Sequence, residues 1–395
     1  MAKLVQPNSN KCLLWLLRGN EGYGVASIVI SFSAELKKRD WTVLLVCETR
    51  GGLVDTLVSK GIDVVCLERE PPVDRVTGSF FQKFKILIRT LGSSKKLVNA
   101  VIDQLGDIQV AVVQCSIVFN IVPVARLAKH YQCSAVWRMS NSVRKIRPFN
   151  YSCWYLQLLC SVMKVEAMGN SQYTTDSLGD GPTRKYTNLH GVDSSRFDAD
   201  AVKPRSRSEM GIGHDDIVFG IIARLDDSLH KGQVHFYNAL RHLDSRDKKI
   251  HLVLFGGPVD GEVAKIINSD VVESNTCNVH FMGSKSDIEC WIGMLDVVVS
   301  VRVDAEPFGL TIVEAMMMGK PVLAHSLGGP SEIVVDGVTG WLINSMDEES
   351  VRQSVEKCLS TWEYWEKYGN AGRERALKCF TIDKEVDRWL ELVQI

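Results

Sequence analysis

Short apolar, β-branched runs alternate with stretches of helical periodicity along most of the chain. In the first half the runs fall at residues 11–17, 42–47, 63–67, 109–113, 134–137 and 165–168. A polar, proline-bearing stretch at 198–215 interrupts the pattern, which restarts at 217–222, 251–255, 279–282, 297–301 and 321–324. Runs this short and this apolar predict strands buried on both faces of a parallel sheet, with the helical stretches as right-handed crossovers. The expected fold class is α/β, with two Rossmann-like doubly wound domains facing an interdomain cleft, each binding ligands outside the carboxyl ends of its strands. The stretch 198–215 is the expected linker. The domains are then 1–197 and 198–379, with the last segment, about 380–395, returning to the first domain.

Composition fits this division. A chain of 395 residues, 45% apolar and 24% charged, is too long for one core. Eleven cysteines without a Cys-x-x-Cys pair point to a reducing compartment, and the cytoplasm is the expected location. The apolar run at 12–17 ends at Arg18, too short for a signal-peptide core, and reads as the first strand. No stretch approaches the roughly 20 apolar residues of a membrane span.

The net charge of −1 conceals an asymmetry, with 24 Lys and Arg against 15 Asp and Glu in 1–195, and 22 against 32 in 196–395. No acid occurs from Ile108 to Val165, where Arg126, Lys129, Arg138, Arg144, Lys145, Arg147 and Lys164 all lie. Chance and a basic helix are one reading of that bias; an anionic partner or membrane surface is the other. The aromatic and basic run at 80–89, and the aromatic stretch 149–163, are candidates for peripheral contact with an anionic membrane. Core-facing helices are the plainer reading of each. Nothing in the charge pattern calls for nucleic acid.

The chemistry concentrates at Glu306-Pro307-Phe308-Gly309-Leu310-Thr311-Ile312-Val313-Glu314, where a strand at 297–301 gives way to a helix ending near Gly319. At about 3.6 residues per turn Glu314 lies some two turns inside the helix, while the amides of Phe308, Gly309, Leu310 and Thr311 sit at its start, a place that attracts phosphate. Arg224 follows the strand at 217–222, and Lys231-Gly232 precedes the next helix. Two surface cations are the plain reading; with an acidic pair downstream, they suit a departing diphosphate. Near the N-terminus, Gly22, Tyr23 and Gly24 join the first strand to a helix, small residues that let backbone approach a ligand. The third glycine of a dinucleotide fingerprint is missing, so a nicotinamide cofactor is not expected. Asp198 and Asp200 look like a metal-binding acid pair, but they fall in the polar linker stretch. His190, His230 and His325 have no companion at ligand spacing. No Gly-x-Ser-x-Gly elbow or Walker-type phosphate loop occurs.

Taken together, these residues resemble the family-four retaining glycosyltransferases of the GT-B fold. The resemblance rests on the glutamate pair, Gly169-Asn170-Ser171, Gly191-Val192-Asp193 with Arg196-Phe197, Ala223-Arg224-Leu225 with Lys231-Gly232, Gly319-Lys320-Pro321-Val322, and Gly328-Gly329. It runs through nearly all of the second half and loosely through the first. It implies transfer of a sugar from a nucleotide diphosphate sugar to a hydroxyl acceptor (a glycan, lipid-linked or small-molecule glycoside), with retention and without metal or other cofactor. Glu306 would meet donor-sugar hydroxyls and Glu314 the nucleotide ribose. Arg224, Lys231 and the amides at 308–311 would hold the diphosphate, with Gly22 and Gly24 closing over it. The chain departs from the family at Arg138, which stands where a histidine is usual and cannot accept a proton. Arg138 and Tyr23 are the acceptor-side candidates, Arg138 for an anionic group. His190 replaces a usual asparagine, and the loop from Arg224 to Lys231 is slightly long. A nucleotide-sugar epimerase of the same architecture and a non-catalytic nucleotide-sugar binder remain alternatives.

Overall fold

A computed structural model describes residues 11–69, 80–143, 151–225, 230–241, 243, 248–271 and 277–393. The chain divides into two compact units, Met1–His190 with Ile382–Ile395, and Gly191–Thr381. The aromatic run at 80–89 lies on the helix Phe80–Leu105, but its side chains, and the cations Arg144, Lys145 and Arg147, fall outside the described residues.

The first unit holds a seven-stranded sheet of β1 (Cys12–Leu17), β2 (Thr42–Cys47), β3 (Val64–Cys66), β4 (Val112–Cys115), β5 (Ser134–Met139), β6 (Val165–Gly169) and β7 (Lys185–Thr187), in the order β3-β2-β1-β4-β5-β6-β7. Every pairing is parallel. Central β1 is buried at all six positions, as its unbroken apolar run requires. β4 starts later than the run at 109–113 suggests, because its register on β1 begins with Leu13 opposite Val112. The helix Ile382–Val393 belongs to this unit. Trp389 packs edge-on against Phe32 and Trp41, and its indole N–H donates to Gln114 Oε1 over 3.2 Å.

The second unit holds six parallel strands, β8 (Ile217–Ile222), β9 (Ile250–Phe255), β10 (Cys277–Gly283), β11 (Val297–Ser300), β12 (Val322–His325) and β13 (Gly340–Ile343), in the order β10-β9-β8-β11-β12-β13. The division between units falls at His190/Gly191 and Thr381/Ile382 rather than at 197/198 and 379/380. The stretch 198–215 is correspondingly not a linker but part of the second unit. Its backbone is tied down where Arg205 N donates to Cys290 O over 3.0 Å, and Pro204 sits against Gly293, where a Cβ would fall 3.0 Å from its ring. Arg207 donates to Met294 O at 2.7 Å and pairs with Asp296 at 2.7 Å. A polar segment reads as a linker when its arginines find their acids about ninety residues away. Among the described residues, no helix is long and apolar enough to cross a membrane.

Candidate active site

Three glycines build the neighbourhood of Glu306. Gly232 has φ +77°, and a Cβ there would lie 1.8 Å from Val301 O, so the Lys231-Gly232 turn presses directly on the end of β11. Val303 N donates to His230 O at 2.8 Å, fixing the same turn from the other side. Glu306 N donates to Leu327 O at 3.1 Å and its carbonyl accepts from Gly329 N at 2.8 Å. A Cβ on Gly328 (φ +102°) would lie 2.2 Å from Glu306 O, and one on Gly329 2.5 Å from Phe308 Cα. The Gly328-Gly329 pair is therefore a seat for the segment that carries Glu306.

This construction brings two expected residues together, with Lys231 Nζ 3.7 Å from Glu306 Oε2. It adds one that the sequence reading missed. Arg302 Nη1 lies 3.5 Å from the same oxygen, while its Nε donates to Asp304 Oδ1 at 2.6 Å. The hydrogen bond from Arg302 holds the Asp304 carboxyl below its usual range. The alternation Arg302-x-Asp304-x-Glu306 was the available signal, since alternate residues of an extended segment share a side. Arg224 stands just beyond β8, the neighbour of β11, with its carbonyl taking a 2.9 Å hydrogen bond from Gln233 Nε2. Residues 226–229 of the following loop are outside the described set.

The helix Leu310–Met317 starts at Gly309, whose φ of +108° suits glycine and whose position offers no side-chain cap. The first-turn amides of Leu310 and Thr311 thus keep donor capacity for an anion. Phe308 contributes backbone only, its ring being buried against Phe380 at 6.2 Å. Glu314 is 2% exposed and its Oε2 has no hydrogen-bond partner. Burial raises its pKa to about 7; Arg196 pulls it down and Glu289 pushes it up. Arg196 itself is held by Glu289 at 2.8 Å. A buried oxygen left without a donor costs about 1–3 kcal/mol, which a ligand hydroxyl would offset.

Residues 202–375 match the family described as glycosyl transferases group 1. They form a group 1 glycosyl transferase domain. Sucrose synthase 5 of Oryza sativa subsp. japonica is 39% identical over 80 residues, 19% of this chain and only 9% of that protein. The matched stretch is thus about a tenth of that relative's length. A glycosyltransferase from Rickettsia africae superposes with a TM-score of 0.77 at 19% identity, covering 97% of each chain. Anabaena HepE in complex with UDP-glucose gives 0.76 at 19% identity, covering 97% of this chain and 99% of that one. At such identity the likeness is one of fold, the two Rossmann-like domains of the GT-B architecture.

Arg224, Lys231, Arg302, Glu306 and Glu314 all lie within the transferase domain. Asp198 and Asp200 lie just before it, and Arg373, near its end, pairs with both acids, at 2.9 and 2.7 Å. Those acids are therefore occupied. Among the described residues no three His, Cys, Asp or Glu side chains are grouped as a metal site. His325 Nδ1 is 2.7 Å from Arg302 O, supporting the Arg302 loop.

Outside the transferase domain, the expectation that Arg138 meets an acceptor anion needs correction. Arg138 is 4% exposed, its guanidinium is paired with Glu385, and it lies 5.1 and 4.5 Å from the ring centroids of Trp15 and Phe32. Its counter-charge is supplied from inside the first unit, by a helix that sequence spacing does not bring near. His190 Nδ1 lies 3.0 Å from the same Glu385 oxygen. Gly22 caps the helix Tyr23–Lys37, and a Cβ there would meet nothing within 4 Å; Gly24 is in the first turn, and the Tyr23 side chain is outside the described set. The sterically constrained glycine of that loop is Gly19, where a Cβ would lie 2.0 Å from Thr49 O. Glu21 accepts from Arg18 N and Gly19 N at 2.6 and 2.7 Å, placing a fixed carboxylate at the end of β1.

The state of Glu314 gives a pH dependence. Its folded pKa of about 7 exceeds that of a free carboxyl, so the folded state holds the proton more tightly, and stability falls as pH rises from the unfolded value towards 7. Ligand hydroxyls that donate to the carboxylate favour the ionised form. Nucleotide-sugar affinity should therefore weaken as pH drops below about 7 and approach roughly tenfold per unit. Calorimetric titration with a nucleotide sugar, whose diphosphate has no ionisation in this range, measures it. Glu314→Gln should flatten the profile, and an unchanged slope in that variant would remove Glu314 from the ligand site.

Proposed function

We propose that the chain transfers a sugar from a nucleotide diphosphate sugar to a hydroxyl acceptor, with retention of anomeric configuration and without a metal. The observation carrying this reading is the shared oxygen of Glu306, approached by Lys231 and Arg302 beside a helix start whose second turn holds the bare Glu314 oxygen. One carboxylate and two cations suit opposite ends of a single donor. Glu306 would accept hydrogen bonds from sugar hydroxyls, while Lys231, Arg302, Arg224 and the amides at Leu310 and Thr311 would surround the diphosphate. Glu314 would take the ribose hydroxyls.

The reaction needs little more from the protein. The bond between the anomeric carbon and the phosphate oxygen breaks with its electron pair going to phosphate, whose charge the cations neutralise. The acceptor oxygen bonds to the same face of the anomeric carbon, and its proton passes to the departing phosphate oxygen. Side-chain cations serve in place of a metal, and Arg373 already occupies the acids most like a metal pair. Because the Anabaena structure contains UDP-glucose, a UDP-sugar is the first donor to try.

Incubating the purified chain with UDP-, GDP- and ADP-sugars, alone and with hydroxyl acceptors, tests the proposal. Nucleoside diphosphate release from one base class, with a retained anomeric linkage in the product, is expected. Sugar isomerisation without release would indicate an epimerase, and binding without either a non-catalytic protein.

A further inference from the structure

The helix Tyr151–Met163 in the first unit is apolar on two opposite faces. Inward, Cys153, Gln157 and Cys160 are buried, with Leu156, Leu159 and Met163 packed against the core. Outward, Trp154, Leu158 and Val162 are 66%, 44% and 68% exposed, one turn apart, with Tyr155 beside them at 38%. The helix cannot roll to hide this face. Gln157 Nε2 donates to Gly179 O at 2.8 Å, its Oε1 accepts from Thr183 N at 3.0 Å, and its carbonyl accepts from Thr183 Oγ1 at 2.7 Å. A Cβ on Gly181 would lie 2.7 Å from the Gln157 amide, so the packing is tight there as well.

We propose that this outer face docks on an anionic membrane surface. Charge selects that occupant. From Ile108 to Val165 the sequence has seven cations and no acid; Arg138 is spent on Glu385 inside the unit, and exposed Lys164 immediately follows the helix. Of the next acids, Glu166 pairs with Arg184 at 3.0 Å and Asp180 with Lys185 at 3.3 Å, while Asp176 accepts a 2.8 Å hydrogen bond from Gln172. Tryptophan, tyrosine and two aliphatic side chains with Lys164 at the helix end suit the headgroup boundary, where apolar insertion and attraction to anionic lipid act together. A second protein copy fits less well, because four side chains of one helix fall short of the roughly 800 Å² per partner of a stable interface. The proposal does not rest on the transfer reaction.

The test is co-sedimentation of the full chain with phosphatidylcholine vesicles and with vesicles containing about 30% phosphatidylglycerol. Binding is expected only with the anionic vesicles, weakening several-fold between about 0.05 and 0.5 M salt. The triple variant Trp154→Ser, Leu158→Ser, Val162→Ser should lower partitioning about tenfold or more while its melting temperature is kept, since the positions are exposed. Its nucleoside diphosphate release in vesicle-free solution should match the parent, which separates this question from that of the reaction. Equal binding to both vesicles, no binding, or unchanged binding of the variant would overturn the proposal. So would a parent dimer that the variant dissolves, because a second copy would then cover the face.

Discussion

Replacing Glu306 by glutamine should lower turnover about 100- to 1000-fold, the loss of about 2.7–4 kcal/mol of transition-state stabilisation typical of a single oriented polar group. The amide keeps the size of the side chain and its seat against Gly328 and Gly329, so the fold should be untouched. Its ion pairs, at 3.5 and 3.7 Å and partly exposed, contribute little to stability. The charge is what is lost. Glutamine is a weaker acceptor for sugar hydroxyls as positive charge develops on the ring, and it no longer balances Lys231 and Arg302. Free nucleoside diphosphate should bind the variant as well as the parent or better, since a negative neighbour of the diphosphate has been removed. Initial rates and calorimetry would separate the two effects. A variant within about threefold of parental turnover would end this assignment, and a parallel loss of diphosphate affinity would make Glu306 a support for its cations instead.

Replacing Glu385 by alanine should destabilise the first unit by about 3–5 kcal/mol, the effect of stranding a buried charge. Arg138 would keep its position against Trp15 and Phe32 with no counter-ion, in a site where side-chain exposure is 5%. Its Nη1 already lacks a hydrogen-bond partner. The double variant Arg138→Met, Glu385→Leu should recover most of the loss, because apolar side chains remove the desolvation penalty with the charge. Urea denaturation followed by fluorescence reads both, since Trp389 on the same helix is packed against Phe32 and Trp41. A single-variant loss below about 1 kcal/mol would mean that the pair does not anchor this helix.

These two sites mark where the sequence was informative. Strands such as β1, β2 and β8 were legible because an unbroken apolar run must be buried on both faces of a sheet. β7 and β13 were not, being edge strands of three and four residues. Lys231 and Glu306 were legible because each falls between the end of an apolar strand and the start of a helix, where parallel sheets bind ligands. Arg302 was passed over although it alternates with Asp304 and Glu306, and the chain's path from β11 to Gly309 brings it to the Glu306 oxygen. The partner of Arg138 is 247 residues away, beyond any local rule, and its charge was read as an invitation to an acceptor. The arginines of 198–215 misled in the same way.

The second unit begins and ends at neighbouring points. Val192 bridges Thr381 in parallel, and Val192 N donates to Phe380 O at 2.8 Å. The transferase domain is therefore carried as a cassette inserted into the first unit between His190 and Ile382. Its two ends are already stitched together, so closing the first unit around it costs little loop entropy. Such an arrangement lets one inserted module be exchanged between hosts by a single insertion, without redesigning the core of either.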